Sequence, residues 1–148
     1  MNMNRLREQY VSLFADEGVQ SDVLDAIEAR LDVQLPADIR EIASFYHGGM
    51  IGGISHNDFA IAGPANNVVD STLRLRELID LPHNLVVVAE PENGLIVLDT
   101  ESLETAVIWC DAHDAANLGN RQFTSAPGTW ASYAEFFTYL LEEEEDER

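Results

Sequence analysis

The chain contains no lysine: its eight basic residues are all Arg, against 27 acids in 148 residues, for a net charge of −19 with neutral His. Without Lys there is no Schiff-base nucleophile, no Lys general base and no phosphate loop of the kind that needs its Lys. Cysteine is almost as scarce. The single Cys110 excludes an intramolecular disulfide and a structural zinc site built on several thiolates. It fits a reducing compartment, and the expected location is the cytoplasm. Long apolar runs are missing too. None exceeds five residues, far short of the ~20 a membrane helix needs. The polar first ten residues lead into no stretch that could serve as a secretory signal.

The shortage of positive charge also limits partners. Phosphate binding works by Lys and Arg displacing counterions, so nucleic acid and anionic membranes are not expected partners. A basic protein is, because an acidic body draws it in at low salt. Residues 142–148 carry six acids and one Arg, yet the rest of the chain keeps 7 bases and 21 acids, a net −14. The body is acidic in its own right, and 142–148 reads as an acidic, solvated C-terminal tail.

What is present suits one folded domain over residues 1–148. Hydrophobic residues make up 46%, and a chain of this size buries roughly 68–70% of its unfolded surface. Leu6, Tyr10, Leu13 and Phe14 share one helical face, with Gly18 as a stop. Ser21 offers an N-cap to a helix carrying Val23, Ile27 and Leu31. Pro36 suits the first turn of a third helix with Ile39, Ile42, Ala43 and Tyr46 on one face, running into His47-Gly48-Gly49. The glycines at 48, 49, 52 and 53 read as a turn feeding the first strand, since they lack the spacing of a phosphate loop. A strand is expected near Asp58–Ala62, then a helix with Val68, Thr72, Leu75 and Ile79. Leu85–Glu90 and Leu95–Asp99 form a hairpin across Asn93-Gly94, and Thr105–Cys110 adds a third strand. These runs are nearly continuous in apolar residues, so both faces of the sheet should be covered. Residues 111–128 read as loop. A closing helix carries Tyr133, Phe136, Phe137, Leu140 and Leu141, with Ser132 as cap. The expected class is therefore α+β: N-terminal helices, a mainly antiparallel β-meander sheet and a closing C-terminal helix.

Chemistry-bearing residues are few. Cys110-Asp111-Ala112-His113-Asp114 could bind a metal or form a Cys–His pair, or could be acids at an exposed strand end beside a buried thiol. His47 and His56 flank the glycines near Asp58 and could act as a general-base pair, or His47 could simply meet the last carbonyls of its helix. Trp109 and Trp130 could anchor a partner or pack in the core. No spacing here demands a catalytic residue, a metal or a cofactor.

Three stretches resemble the SUKH superfamily of bacterial immunity proteins, which also contains a yeast regulator of cell-wall synthesis. Ser21–Gly49 has a helix closing in Leu35-Pro36, a second helix and a Gly pair, with His47 where Asn is common. Val86–Trp109 has an apolar strand, a turn at Glu92-Asn93-Gly94, a strand ending in Leu98-Asp99, then Ala106-Val107-Ile108-Trp109. Trp130–Leu141 is similar to the closing helix. The resemblance implies a non-catalytic module that binds and neutralises a cognate toxin, often a nuclease, or, on the eukaryotic side, a regulatory scaffold. A small hydrolase or metal enzyme built on Cys110, His113 and Asp114 is the remaining alternative. The resemblance fixes no binding residues. The expected partner-binding residues are electrostatic: Asp58, Glu90, Glu92, Asp111 and Asp114, at strand ends and turns.

Overall fold

A computed structural model describes residues 2–148. Three helices come first: α1 (Met3–Val11), α2 (Ser21–Leu31) and α3 (Ala37–Ala43). Strands β1 (Gly49–Ile51) and β2 (Ile54–His56) follow, then α4 (Val68–Ile79). The strands β3 (Leu85–Ala89), β4 (Gly94–Asp99) and β5 (Val107–Asp111) lead to a 3₁₀ helix (Ala112–Asn117), β6 (Gly128–Trp130) and α5 (Tyr133–Asp146). The six strands make one sheet in the order of the sequence, every neighbour antiparallel. This is the expected α+β meander between N-terminal and C-terminal helices.

The apolar strands have no polar face because both faces are covered. Val86, Ile96, Leu98 and Val107 point into a large core with α1, α2, α3 and α5. Their alternates Leu85, Val87, Leu95, Val97, Ile108 and Cys110 meet Leu75 and Ile79 of α4, together with Leu118 and Phe123. Alternation between two apolar covers, broken only by a bulge between Val87 and Ala89, gives the continuous hydrophobic run. Helix α4 lies along the part of β3 that β2 leaves free, since β2 pairs with β3 only at His56–Ala89. Beyond that pair the edge is closed by the Asn57 amide, which donates to the Val88 carbonyl at 2.7 Å, and by side chains. Thr72 Oγ1 accepts from the Val87 amide at 2.9 Å, and Asn57 Nδ2 donates to the Val87 carbonyl at 3.1 Å.

Several local expectations are revised. Helix α1 ends at Val11, where the Ser12 hydroxyl turns back to the Gln9 carbonyl (2.7 Å). Gly18 is not its stop; it lies against the backbone of Ser44. Ser21 is the first helical residue of α2, and Pro36 stands just before α3 as its N-cap. The glycine cluster does not merely feed a strand. It holds a hairpin, with Gly52 and Gly53 at φ 59° and 83° between Ile51 and Ile54. Two positive φ values in a two-residue loop suit glycine best. Asn93-Gly94 is not such a turn. Asn93 is left-handed at φ 60°, the Gly94 amide closes on the Pro91 carbonyl (3.0 Å), and Gly94 already belongs to β4. The strand expected at Asp58–Ala62 does not form, because Asp58 bridges Asn67 and Phe59 bonds back to His47. Residues 111–128, expected as loop, contain the 3₁₀ helix and the start of the edge strand β6. Finally, Glu142–Asp146 are not a loose tail: they are the last turns of α5.

Candidate functional site

The surface charge follows from how the arginines are spent. Five of the eight reach their own carboxylates: Arg7 to Asp16, Arg40 to Asp25 and Glu28, Arg74 to Glu90, Arg121 to Asp99 and Arg148 to Glu144. Arg76 instead caps the end of α2, donating to the Leu31 carbonyl at 2.7 Å and to the His83 carbonyl at 2.9 Å. Six of eight positive side chains are thus held in place, while most of the 27 acids face outward without one.

The expected binding residues do not form one patch. Glu90 and Glu92 lie in the β3–β4 turn, and Asp111 faces Gly94 across β4–β5, so these three share one end of the sheet. Glu92 and Asp111 are exposed, whereas Glu90 is tied to Arg74. Asp58 sits apart at the start of α4, 3.5 Å from His47 Nδ1. Asp114 is not a surface acid at all: it is 0% exposed. Its oxygens accept from the Thr124 amide and hydroxyl (both 2.9 Å) and from the Ser125 amide (3.1 Å). Those bonds, led by the Thr124 amide, hold its carboxyl down at about 2. Asp114 therefore pins the loop before β6 and cannot meet a partner.

The candidate chemistry dissolves in the same way. Asp111, His113 and Asp114 bring ligand atoms within 4.8 Å of one another. Asp114 has already committed its oxygens to the loop, however, and His113 Nε2 lies 2.6 Å from Thr124 Oγ1. The Thr124 hydroxyl gives its hydrogen to Asp114, so His113 is not placed to activate it. Cys110 is 1% exposed and faces the second apolar cluster; burial pushes its thiol up, away from the reactive thiolate. The two histidines of the expected pair are separated. His47 lies half-exposed between Glu17 and Asp58, while His56 is buried among Tyr46, Phe59 and Tyr133. Trp130 packs on Phe136 and Tyr139 against the core, and the Trp109 ring lies over Gly94.

The strongest acidic surface is the one read as a tail. Glu142–Asp146 are the last turns of α5 and Glu147 is its C-cap, with no basic residue in the last turn. A helix C-terminus carries partial negative charge, so acids at that end oppose the macrodipole and one another. Only part of the run is stapled down. Glu144 accepts from the Gly52 amide at 3.1 Å and pairs with Arg148, and Glu145 takes a hydrogen bond from Gln9. Replacing the unstapled Glu142, Glu143 and Asp146 by Gln, Gln and Asn is expected to raise stability by about 1 kcal/mol, or Tm by roughly 2–4 °C. A lower Tm in calorimetry would mean these acids are structural.

These observations define an α+β domain in which five helices and a 3₁₀ helix cover one antiparallel meander and the excess negative charge faces out. The chain belongs to the SMI1-KNR4 cell-wall family (SUKH_5), whose model matches residues 2–124. That match runs from α1 through the 3₁₀ helix and ends before β6 and α5. No curated protein matches the chain. Among the described residues, no helix is long and apolar enough to cross a membrane.

Proposed function

We propose that this protein is a binding module of the immunity type, which covers a cationic surface on a cognate bacterial toxin inside the cell and transforms no substrate. The carrying observation is the surplus of outward-facing acids, left over after five of the eight arginines pair with carboxylates of their own chain. A nuclease active site is built to attract phosphate, so an acidic protein competes naturally for the same groove. Family membership supports an immunity-like or cell-wall-regulator-like module. The buried Cys110, the committed Asp114 and the separated histidines support binding over catalysis.

The test is co-expression with the product of the reading frame beside its gene. The expected result is rescued growth and a copurifying complex that buries at least ~1,000 Å². Its association rate should fall as ionic strength rises, because the attraction is screened over about 8–10 Å. Growth arrest that persists, with no complex at low salt, would remove the toxin reading. A stable complex with a housekeeping protein instead would favour the regulatory scaffold.

A further inference from the structure

At the opposite end of the sheet from Glu90, Glu92 and Asp111, the turn joining β4 to β5 carries the most exposed large apolar residue, Leu103, at 94% exposure. Such exposure is ordinary in a loose loop, but this turn is tightly held. Asp99 Oδ1 accepts from the Glu101 amide (3.0 Å) and from Asn84 Nδ2 (2.8 Å), while its Oδ2 takes Arg121 (2.9 Å). Thr100 bonds the Asn84 carbonyl through both its amide (2.9 Å) and its hydroxyl (2.8 Å). Ser102 Oγ accepts from the Thr105 amide at 3.0 Å. A leucine is thus presented to solvent on a fixed frame, and binding it sacrifices little loop entropy.

Leu103 also forms a wall. Between this turn and the α2–α3 connection run neighbouring recesses of about 330 and 170 Å³, sharing Pro36, Ser102 and Leu103. A third of about 470 Å³ continues past Thr100 and Gln34 towards Asp32 and His83. The charged side chains lining this groove are Glu101, Asp32, which stands 3.4 Å from His83 Nε2, and Asp38, whose Oδ2 accepts from the Ala134 amide at 2.9 Å. Glu104 stands exposed on the same turn. An apolar centre ringed by acids is the layout of an interface anchor.

Resting on the binding-module reading above, we propose that this groove is the recognition surface: Leu103 is its apolar anchor, and a basic segment of the protein partner bearing a large apolar side chain lies between it and Pro36. The acids on its rim choose the cation and set the approach; Leu103 and the recess supply the desolvated contact.

The experiment follows the amide resonances of the labelled full chain as a cationic peptide of alternating Arg and Trp is added. Shifts are expected to concentrate at residues 32–38 and 100–106. Leu103→Glu is expected to weaken binding about tenfold or more, and Leu103→Ala in the same direction. Glu adds attraction for a cation, so a loss of affinity there can come only from the lost apolar contact. Both variants should melt like the wild type, since the side chain is in solvent. Shifts centred on Glu90, Glu92, Asp111 or Glu142–Glu147, unchanged affinity in both variants, or no saturable binding would each overturn the proposal. The neighbouring gene product separates the two readings. If it binds wild type and Leu103→Glu alike, the groove is wrong and the immunity reading stands. If it fails to bind while the peptide maps to the groove, the immunity reading is wrong and the surface stands.

Discussion

Replacing His56 by Ala is expected to destabilise the protein by about 3–4 kcal/mol, through a cavity in an aromatic cluster and a buried hydroxyl left without its partner. His56 is 2% exposed and lies edge-on to Tyr46 (5.5 Å), Phe59 (5.2 Å) and Tyr133 (5.9 Å). Its Nδ1 is 2.7 Å from the Asn57 carbonyl, and its Nε2 is 2.8 Å from the Tyr133 hydroxyl. A carbonyl can only accept, so Nδ1 carries the hydrogen and Nε2 accepts from Tyr133. A proton added at Nε2 would place a positive charge at a fully buried ring. Burial accordingly lowers the imidazole from 6.5 to about 4, despite the favourable bond to Asn57.

That shift has a defined sign. The unfolded chain takes up the proton near 6.5 and the folded chain only near 4, so the unfolded state binds more protons between them. The contribution of neutral His56 is complete above pH 6.5 and is lost as the pH falls towards 4. Wild type should therefore lose on the order of 3 kcal/mol more than a His56→Gln variant between pH 7 and 4. Denaturant titrations at several pH values read this difference directly. Subtracting the variant removes the opposing effect of carboxylate neutralisation, which both chains share. Parallel pH profiles would show that burial does not lower His56 in the fold.

The second large effect is expected at Gly18. A Cβ there would stand 2.0 Å from the Ser44 carbonyl oxygen and 2.2 Å from its carbon. The segment is fixed on both sides: the Glu17 amide bonds the Phe45 carbonyl (3.2 Å) and the Val19 amide bonds the Ala43 carbonyl (2.7 Å). Backbone meets backbone, so neither side can rotate away. Gly18→Ala should cost about 3 kcal/mol or more and lower Tm by roughly 10 °C. Gly119→Ala is the control, because its nearest neighbour is Pro82 Cγ at an ordinary 3.7 Å. If the two variants melt together, the close approach at Gly18 is not fixed in solution.

These two residues show what a linear reading can and cannot reach. In the linear sequence both His56 and Gly18 suggest only a local role. Gly18 looked like a helix stop because glycine ends helices; its actual constraint is α3, more than twenty residues away. His56 looked like a partner for His47 because the two flank one glycine cluster. The sheet register instead carries His56 inward beside Ala89, towards a tyrosine from α5. Leu103 gave no signal, since a lone leucine in a turn has no periodicity. The placement of Asp114 was equally illegible. Its sequence neighbours suggest an exposed strand end, and only the return of residues 124–125 buries it.

The amino-acid order alone settled the main helices, the three apolar strands and the fold class, but not the β1–β2 hairpin, the 3₁₀ helix or β6. Apolar residues repeating along one helical face identified the helices, the unbroken Val, Ile and Leu runs required a sheet covered twice, and the absence of Lys left a surface that repels phosphate. Tertiary packing decided which acids are free. The choice of carboxylate for each arginine, the docking of α5 on the β1–β2 hairpin and the burial of Asp114 all depend on residues far apart in the chain. Charge is a property that composition fixes, but exposure is a property of neighbours, and neighbours exist only once the chain has folded.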